Sequence, residues 1–189
     1  GNPDKYLVSF YSKDINEIGF WNEHWKKRVR YMEEHGIPWQ FDGAWQRNVY
    51  ERKIVLFGQI AGDVSGKKIL EPGAGCGIVS LVQSSRGAEV HLVEMSDAAL
   101  QYLGMVRDYL GIKERAHIVK ADMFKLPYNN DTFDITWNSG VIEHYDIASQ
   151  ALKEMIRVTK HEGQIIVAVP NLLSPELLYN AMKNGRGTE

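Results

Sequence analysis

Residues 67–94 read KKILEPGAGCGIVSLVQSSRGAEVHLVE, and the order of apolar runs and glycines in this stretch decides the fold. Ile69 and Leu70 open a short buried strand. Pro72, Gly73, Gly75 and Gly77 then crowd one turn, where glycine permits positive φ and lets a ligand touch backbone. Ile78, Leu81 and Val82 follow at helical spacing, and Gly87 stops that helix. Val90, Leu92 and Val93 make a second strand that ends in Glu94. Strand, turn, helix and strand together are a βαβ signature.

The glycine spacing separates two cofactor classes. A dinucleotide fingerprint reads G-x-G-x-x-G, with its pyrophosphate at the helix N-terminus. Here the turn is Glu71-Pro72-Gly73-Ala74-Gly75-Cys76-Gly77. It resembles motif I of the class I S-adenosylmethionine-dependent methyltransferases, in which an acid precedes a G-x-G-x-G loop. The resemblance implies that the acid ending the second strand, Glu94, holds ribose hydroxyls, with Met95 beside it. A turn needed only for packing the helix on the strand is the plainer alternative.

Outward from that stretch the alternation continues. Ser96 caps a helix carrying Ala99, Leu100, Leu103, Val106 and Leu110, closed by Gly111. Residues 117–121 form a third strand, followed by Asp122 and Met123. In the family this strand end meets the adenine: Asp122 would accept from the exocyclic amine and Met123 would border the ring. Capping of a local turn is the alternative role for Asp122. Residues 133–137 make the fourth strand, and Asn138-Ser139-Gly140-Val141-Ile142-Glu143-His144 leaves it. Many class I methyltransferases show a Glu-His pair in this loop. Ala151, Leu152, Met155, Ile156 and Val158 form the next helix, and Gly163 leads into a fifth strand over residues 164–171.

These motifs all fall at strand carboxyl ends, where a doubly wound sheet binds its ligands. The expected fold is α/β: a doubly wound, mostly parallel, Rossmann-like sheet with an N-terminal helical addition. Residues 1–66 are expected to be a cap or lid, and 67–189 the S-adenosylmethionine-binding domain. The resemblance spans residues 67–171. The family sheet finishes with two further strands, and residues 172–189 are too short to supply both. Either the sequence stops short of those strands or something replaces them, and an open sheet edge would favour a homodimer. By the resemblance, S-adenosyl-L-methionine is bound by Glu71, Gly73, Ala74, Gly75, Gly77, Glu94, Met95, Asp122, Met123 and Asn138, and S-adenosyl-L-homocysteine is the product.

Bulk properties bound the setting. With 189 residues, 44% hydrophobic and 24% charged content, and no long apolar run, the chain reads as one soluble globular unit. No secretory signal is visible, so a cytoplasmic address is expected, with no membrane partner. A net charge of −2 argues against a nucleic-acid partner. The cluster Lys26, Lys27, Arg28 and Arg30 reads as the solvated face of a helix whose other side carries Trp21, Trp25, Val29 and Met32. The single cysteine, Cys76, excludes an internal disulfide and a zinc cluster of cysteines.

The first 66 residues read as helices. Asp14 is placed to cap one ending at Gly36, and Asp42 to cap a second carrying Trp45, Val49, Leu56 and Ile60 toward Gly62. More than half of the chain's aromatic residues, which number Trp 5, Tyr 9 and Phe 6, precede position 67. Such rings serve packing, and they can also shelter an apolar acceptor or attract a sulfonium cation. Tyr6, Tyr11 and Trp39, in loop-like sequence, are the candidates for pocket contact.

Methyl transfer is an in-line displacement, so alignment and exclusion of water are the protein's main work and no catalytic triad is expected. His144 and Glu143 are the candidate catalytic bases. Their local alternatives are a helix-dipole contact for Glu143 and packing for His144. Quinone-pathway and small-RNA methyltransferases place a metal on E-x-x-E-H in this loop. Gly140 stands at the first of those positions, so no metal site is expected. The N-P-P-Y loop of nucleobase and glutamine methylation and the double-glutamate loop of arginine methylation are both absent. The expected reaction is methylation of a small-molecule O, N or C nucleophile. The alternatives are an RNA or protein acceptor, or a non-catalytic S-adenosylmethionine-binding subunit.

Overall fold

The computed structural model describes residues 18–36, 44–169 and 171. Two helices, α1 (Ile18–His35) and α2 (Ala44–Ala61), precede β1 (Lys68–Pro72). Then follow α3 (Ile78–Ser85), β2 (Glu89–Glu94), α4 (Asp97–Tyr109), β3 (Ala116–Lys120) and β4 (Phe133–Ser139). A 3₁₀ turn (Ile142–His144), α5 (Ala148–Val158) and β5 (Thr159–Ala168) complete the order. The five strands lie side by side as β3-β2-β1-β4-β5, every neighbouring pair parallel. From β1 the chain adds strands outward in one direction to β3, and then returns to β1's other side with β4. The glycine turn therefore sits where the order reverses, the position at which open parallel sheets form their binding crevice.

Period-2 alternation splits each strand between two apolar layers. Ile69, Val90, Leu92, Ile135 and Trp137 join the larger cluster, whereas Leu70 and Val93 join a second one with Leu126, Phe133 and Val158. The N-terminal helices share the larger core: Trp25, Val29 and Met32 of α1 and Phe57 and Ala61 of α2 are buried in it. Phe57 meets the Trp137 ring edge-on with centroids 5.3 Å apart. Helix stops follow the glycines, with Gly36, Gly62, Gly87 and Gly111 all at positive φ.

Three strands differ in their bounds from the sequence reading. β3 begins and ends one residue earlier, and β4 continues through Asn138 to Ser139. β5 starts at Thr159, directly after α5, and ends at Ala168 rather than at 171, with Gly163 inside it. Two contacts of the Thr159 hydroxyl explain the early start: it donates to the Met155 carbonyl at 2.6 Å and meets Thr136 Oγ1 at 2.8 Å. Phe133 pairs with Thr159 and Ile135 with Gln164, so residues 160–163 bulge opposite Asp134. A Cβ on Gly163 would lie 2.8 Å from the Asp134 carbonyl oxygen, which only glycine avoids. Phe133 and Ile135, two residues apart, join opposite layers, so the alternation of β4 is broken where its register with β5 shifts.

At the end of β1, Glu71 is 7% exposed and accepts a hydrogen bond from Ser80 Oγ at 2.5 Å. The Trp137 indole N–H approaches the same carboxyl without regular hydrogen-bond geometry. Burial pushes the Glu71 pKa up to about 7, against a lowering by Ser80. Unfolded, the group titrates near 4.5, so between pH 4.5 and 7 the folded chain holds more proton and stability falls as pH rises. Glu71→Gln is therefore predicted to raise unfolding free energy at pH 8 by about 3 kcal/mol at most, and by little near pH 5. Urea denaturation at both values checks this, and an equal change at the two would refute the buried-acid account.

Candidate functional site

Gly73, Gly75 and Gly77 adopt φ of 67°, 53° and 58°, the left-handed region that strains other residues. The space a side chain would need is taken by protein. A Cβ would come within 2.8 Å of Val141 Cγ1 at Gly73, 3.0 Å of Trp25 Cζ2 at Gly75 and 2.7 Å of Leu103 Cδ2 at Gly77. The loop after β4, α1 and α4 thus each close on one glycine. Backbone amides are engaged too. Ala74 N–H donates to the Val93 carbonyl at 3.0 Å and Gly77 N–H to the Ala74 carbonyl at 2.8 Å. Gly75 N–H donates to Glu94 Oε2 at 2.9 Å.

Glu94 is the hub of this region. Its Oε1 accepts from the amides of Met95 at 2.7 Å and Ser96 at 2.9 Å. A carboxylate offers about four lone-pair sites, so roughly one remains for a ligand hydroxyl. Beside it, Ser96 caps α4 by accepting from Ala99 N–H. Asn22 Oδ1 of α1 accepts from both Ser96 Oγ and Ala98 N–H at 3.1 Å, which docks α1 on the start of α4. Asn22 was not singled out from the sequence, where a polar residue on a helix gives no pairing signal.

Asp122 is exposed just beyond β3 and accepts from Phe124 N–H at 2.9 Å, while Met123 is buried with Ile142 and Ala151. Asn138 is fully buried; its Nδ2 donates to the Pro72 carbonyl at 2.8 Å, and its Oδ1 has no hydrogen-bond partner. Both Glu143 oxygens are enclosed and likewise unpartnered. Gly140 stands at φ 72°, which favours glycine, and a Cβ there would only touch Glu143 Oε1 at an ordinary 3.7 Å. The His144 ring lies 5.8 Å from that of Trp21, tilted 53°. Glu143 and His144 occupy the 3₁₀ turn rather than the start of an α-helix.

Tyr145 is a member of the site that the sequence reading missed. Burial raises its phenol pKa, and the Glu94 and Asp122 carboxylates add to the rise, so all three side chains act on one region. It packs edge-on against Phe124 with centroids 5.1 Å apart. Cys76 is buried, and burial pushes its thiol pKa up, which disfavours a thiolate. Asp14, Asp42, Tyr6, Tyr11 and Trp39, the Trp45 side chain and residues 172–189 lie outside the described residues.

The Glu143 oxygens and Asn138 Oδ1 are enclosed acceptors without donors, an arrangement that is costly unless a cation or an N–H group is supplied to it. A glycine turn at the switch point, an acid ending β2, a second acid beyond β3 and these acceptors fit S-adenosylmethionine, which carries a ribose, an adenine amine and cationic groups.

Comparison with known proteins agrees. A family model described as a methyltransferase domain matches residues 70–167, more than half of the chain. Malonyl-[acyl-carrier protein] O-methyltransferase of Halorhodospira halophila is 31% identical over 136 residues, 71% of this chain and 43% of that protein. Demethylmenaquinone methyltransferase of Clavibacter sepedonicus is 31% identical over 104 residues, 55% of this chain and 41% of its own length. The chain thus spans less than half the length of these curated relatives. The crystal structure of geranyl diphosphate C-methyltransferase from Streptomyces coelicolor has the same fold. It superposes with a TM-score of 0.60 at 16% identity, covering 74% of this chain and 54% of that one. Because the family match runs from β1 through β5, across the turn and strand ends that build the site, the chain belongs to the methyltransferase-domain family of class I S-adenosylmethionine-dependent enzymes.

Proposed function

We propose that the chain transfers a methyl group from S-adenosylmethionine to a small-molecule oxygen, nitrogen or carbon nucleophile. The observation that carries this is the unpartnered Glu143 carboxylate, set with His144 at the same sheet edge as Glu94 and Asp122. The relatives named for malonyl-[acyl-carrier protein] and demethylmenaquinone support a small acceptor group. A cytoplasmic setting is part of the same proposal. Among the described residues, no helix is long and apolar enough to cross a membrane.

When bound, S-adenosylmethionine supplies a methyl group made electrophilic by its sulfonium. Glu94 would hold a ribose hydroxyl on its remaining lone pair, Asp122 would accept from the adenine amine, and Met123 would border the ring. A second ribose hydroxyl must displace one of the amides that Glu94 now holds, so binding and the position of the glycine turn are linked. Glu143 and Asn138 Oδ1 attract cationic and N–H groups of the ligand. His144 accepts the proton that leaves an O–H, N–H or acidic C–H acceptor as the new bond to carbon forms. Trp21, beside His144, shields that proton transfer from water.

Calorimetric titration with S-adenosylhomocysteine tests the donor site. The parent chain should bind, and Glu94→Ala should weaken binding roughly 10- to 100-fold, because a charge-assisted hydrogen bond and the hold on Gly75 are lost together. Equal affinity in parent and variant would reject the assignment. Binding alone would also be expected of a non-catalytic subunit, so transfer of a labelled methyl group into a metabolite extract decides between the two. On the acceptor found in that way, His144→Ala should lower kcat about 10²- to 10⁴-fold while leaving the S-adenosylhomocysteine Kd unchanged. Unaltered turnover would remove the base role.

A further inference from the structure

We propose that Glu89, His91 and His117 form a binding site for a divalent transition metal of the zinc type, near the amino ends of β2 and β3. This site is separate from the methyl-transfer region, since His91 lies three residues, roughly 10 Å of strand, from Glu94.

The sheet itself assembles the ligands. His91 and His117 are paired in register on adjacent parallel strands, and their ring centroids lie 4.6 Å apart. Glu89 precedes His91 by two residues and so shares its face. Both imidazoles turn Nε2 to the same oxygen: Glu89 Oε1 is 3.1 Å from His91 Nε2 and 3.5 Å from His117 Nε2. One ligand atom from each of the three residues lies within 4.8 Å of the others. Ligand atoms bonded at 2.0–2.1 Å around a tetrahedral zinc are about 3.3 Å apart, which is the spacing those two pairs already have. Two imidazoles and one carboxylate are a donor set suited to zinc, with the fourth position open to water.

The surroundings of His91 are those of an oriented metal ligand. Its Nδ1 lies 3.2 Å from the Tyr128 hydroxyl. The hydroxyl oxygen can accept from Nδ1–H, leaving the Nε2 lone pair for a metal. The rings of Tyr128 and Phe133 hold the imidazole edge-on at 5.4 and 5.1 Å. His117 and Glu89, by contrast, are 41% and 35% exposed, which gives an ion access. Lys68 Nζ, 3.5 Å from Glu89 Oε1, is the competing cation; it is half-exposed and free to swing into solvent.

Zinc chloride titrated calorimetrically into the whole chain at pH 7.5 should bind at one equivalent and raise Tm. His117→Ala should weaken that binding by at least about tenfold, and Glu89→Gln should weaken it as well, whereas Lys68→Ala should tighten it by removing the competing charge. If His117→Ala does not fold, Co²⁺ added to the parent reads the same contact, because paramagnetic broadening should fall on the imidazole signals of His91 and His117. Absence of saturable zinc binding, binding undiminished in a folded His117→Ala, or broadening confined to other histidines would overturn the proposal.

Discussion

The carboxylate of Glu94 is the interaction on which the site depends. A strand end is normally a place where backbone amides lose their ladder partners. Here one side chain at the end of β2 collects three of them, from Gly75, Met95 and Ser96. It thereby ties the turn after β1 to the start of α4, and α4 to α1 through the shared contact of Ser96 with Asn22. Positive φ at three glycines allows the same closure from the other side, letting Val141, Trp25 and Leu103 come into contact with the turn. The loop is consequently preformed, and a ligand meets a scaffold whose orientation is already fixed by internal hydrogen bonds.

Two buried acids show how stability is traded for chemistry in this region. Glu71 is enclosed with one hydroxyl partner, and Glu143 with none. Burial of Glu71 costs folding stability wherever the group must ionise, which its raised pKa records. Both acids flank the switch point of the sheet, one at the end of β1 and one just past β4.

What was legible in the sequence was what is local. The glycine turn and the Ser96 cap each depend on neighbours within a few positions, so residue type and spacing suffice to read them. The features that escaped are set by partners far along the chain. Gly163 reads as a strand opener because its crowding comes from the Asp134 carbonyl, across a bulge that no period-2 pattern announces. Asn22 and Tyr145 have no motif around them, and their roles arise only when α1 meets α4 and when the loop past β4 turns toward Glu94 and Asp122.

The pairing of His91 with His117 makes the same point at the opposite edge of the sheet. Glu89 and His91 alternate on one face, which the sequence shows, but a two-residue spacing on a strand is common and specifies nothing. Only the β2–β3 register brings His117 alongside. A one-residue slip in that register would turn His117 to the other face and dissolve the cluster. The register that sets the three donors side by side also aligns Glu94 with Lys120 at the far end, two residues before Asp122. The two ends of the sheet are thus coupled through one alignment of two strands. Any ion that locks the amino end would hold in place the same pairing that presents the acids of the carboxyl end.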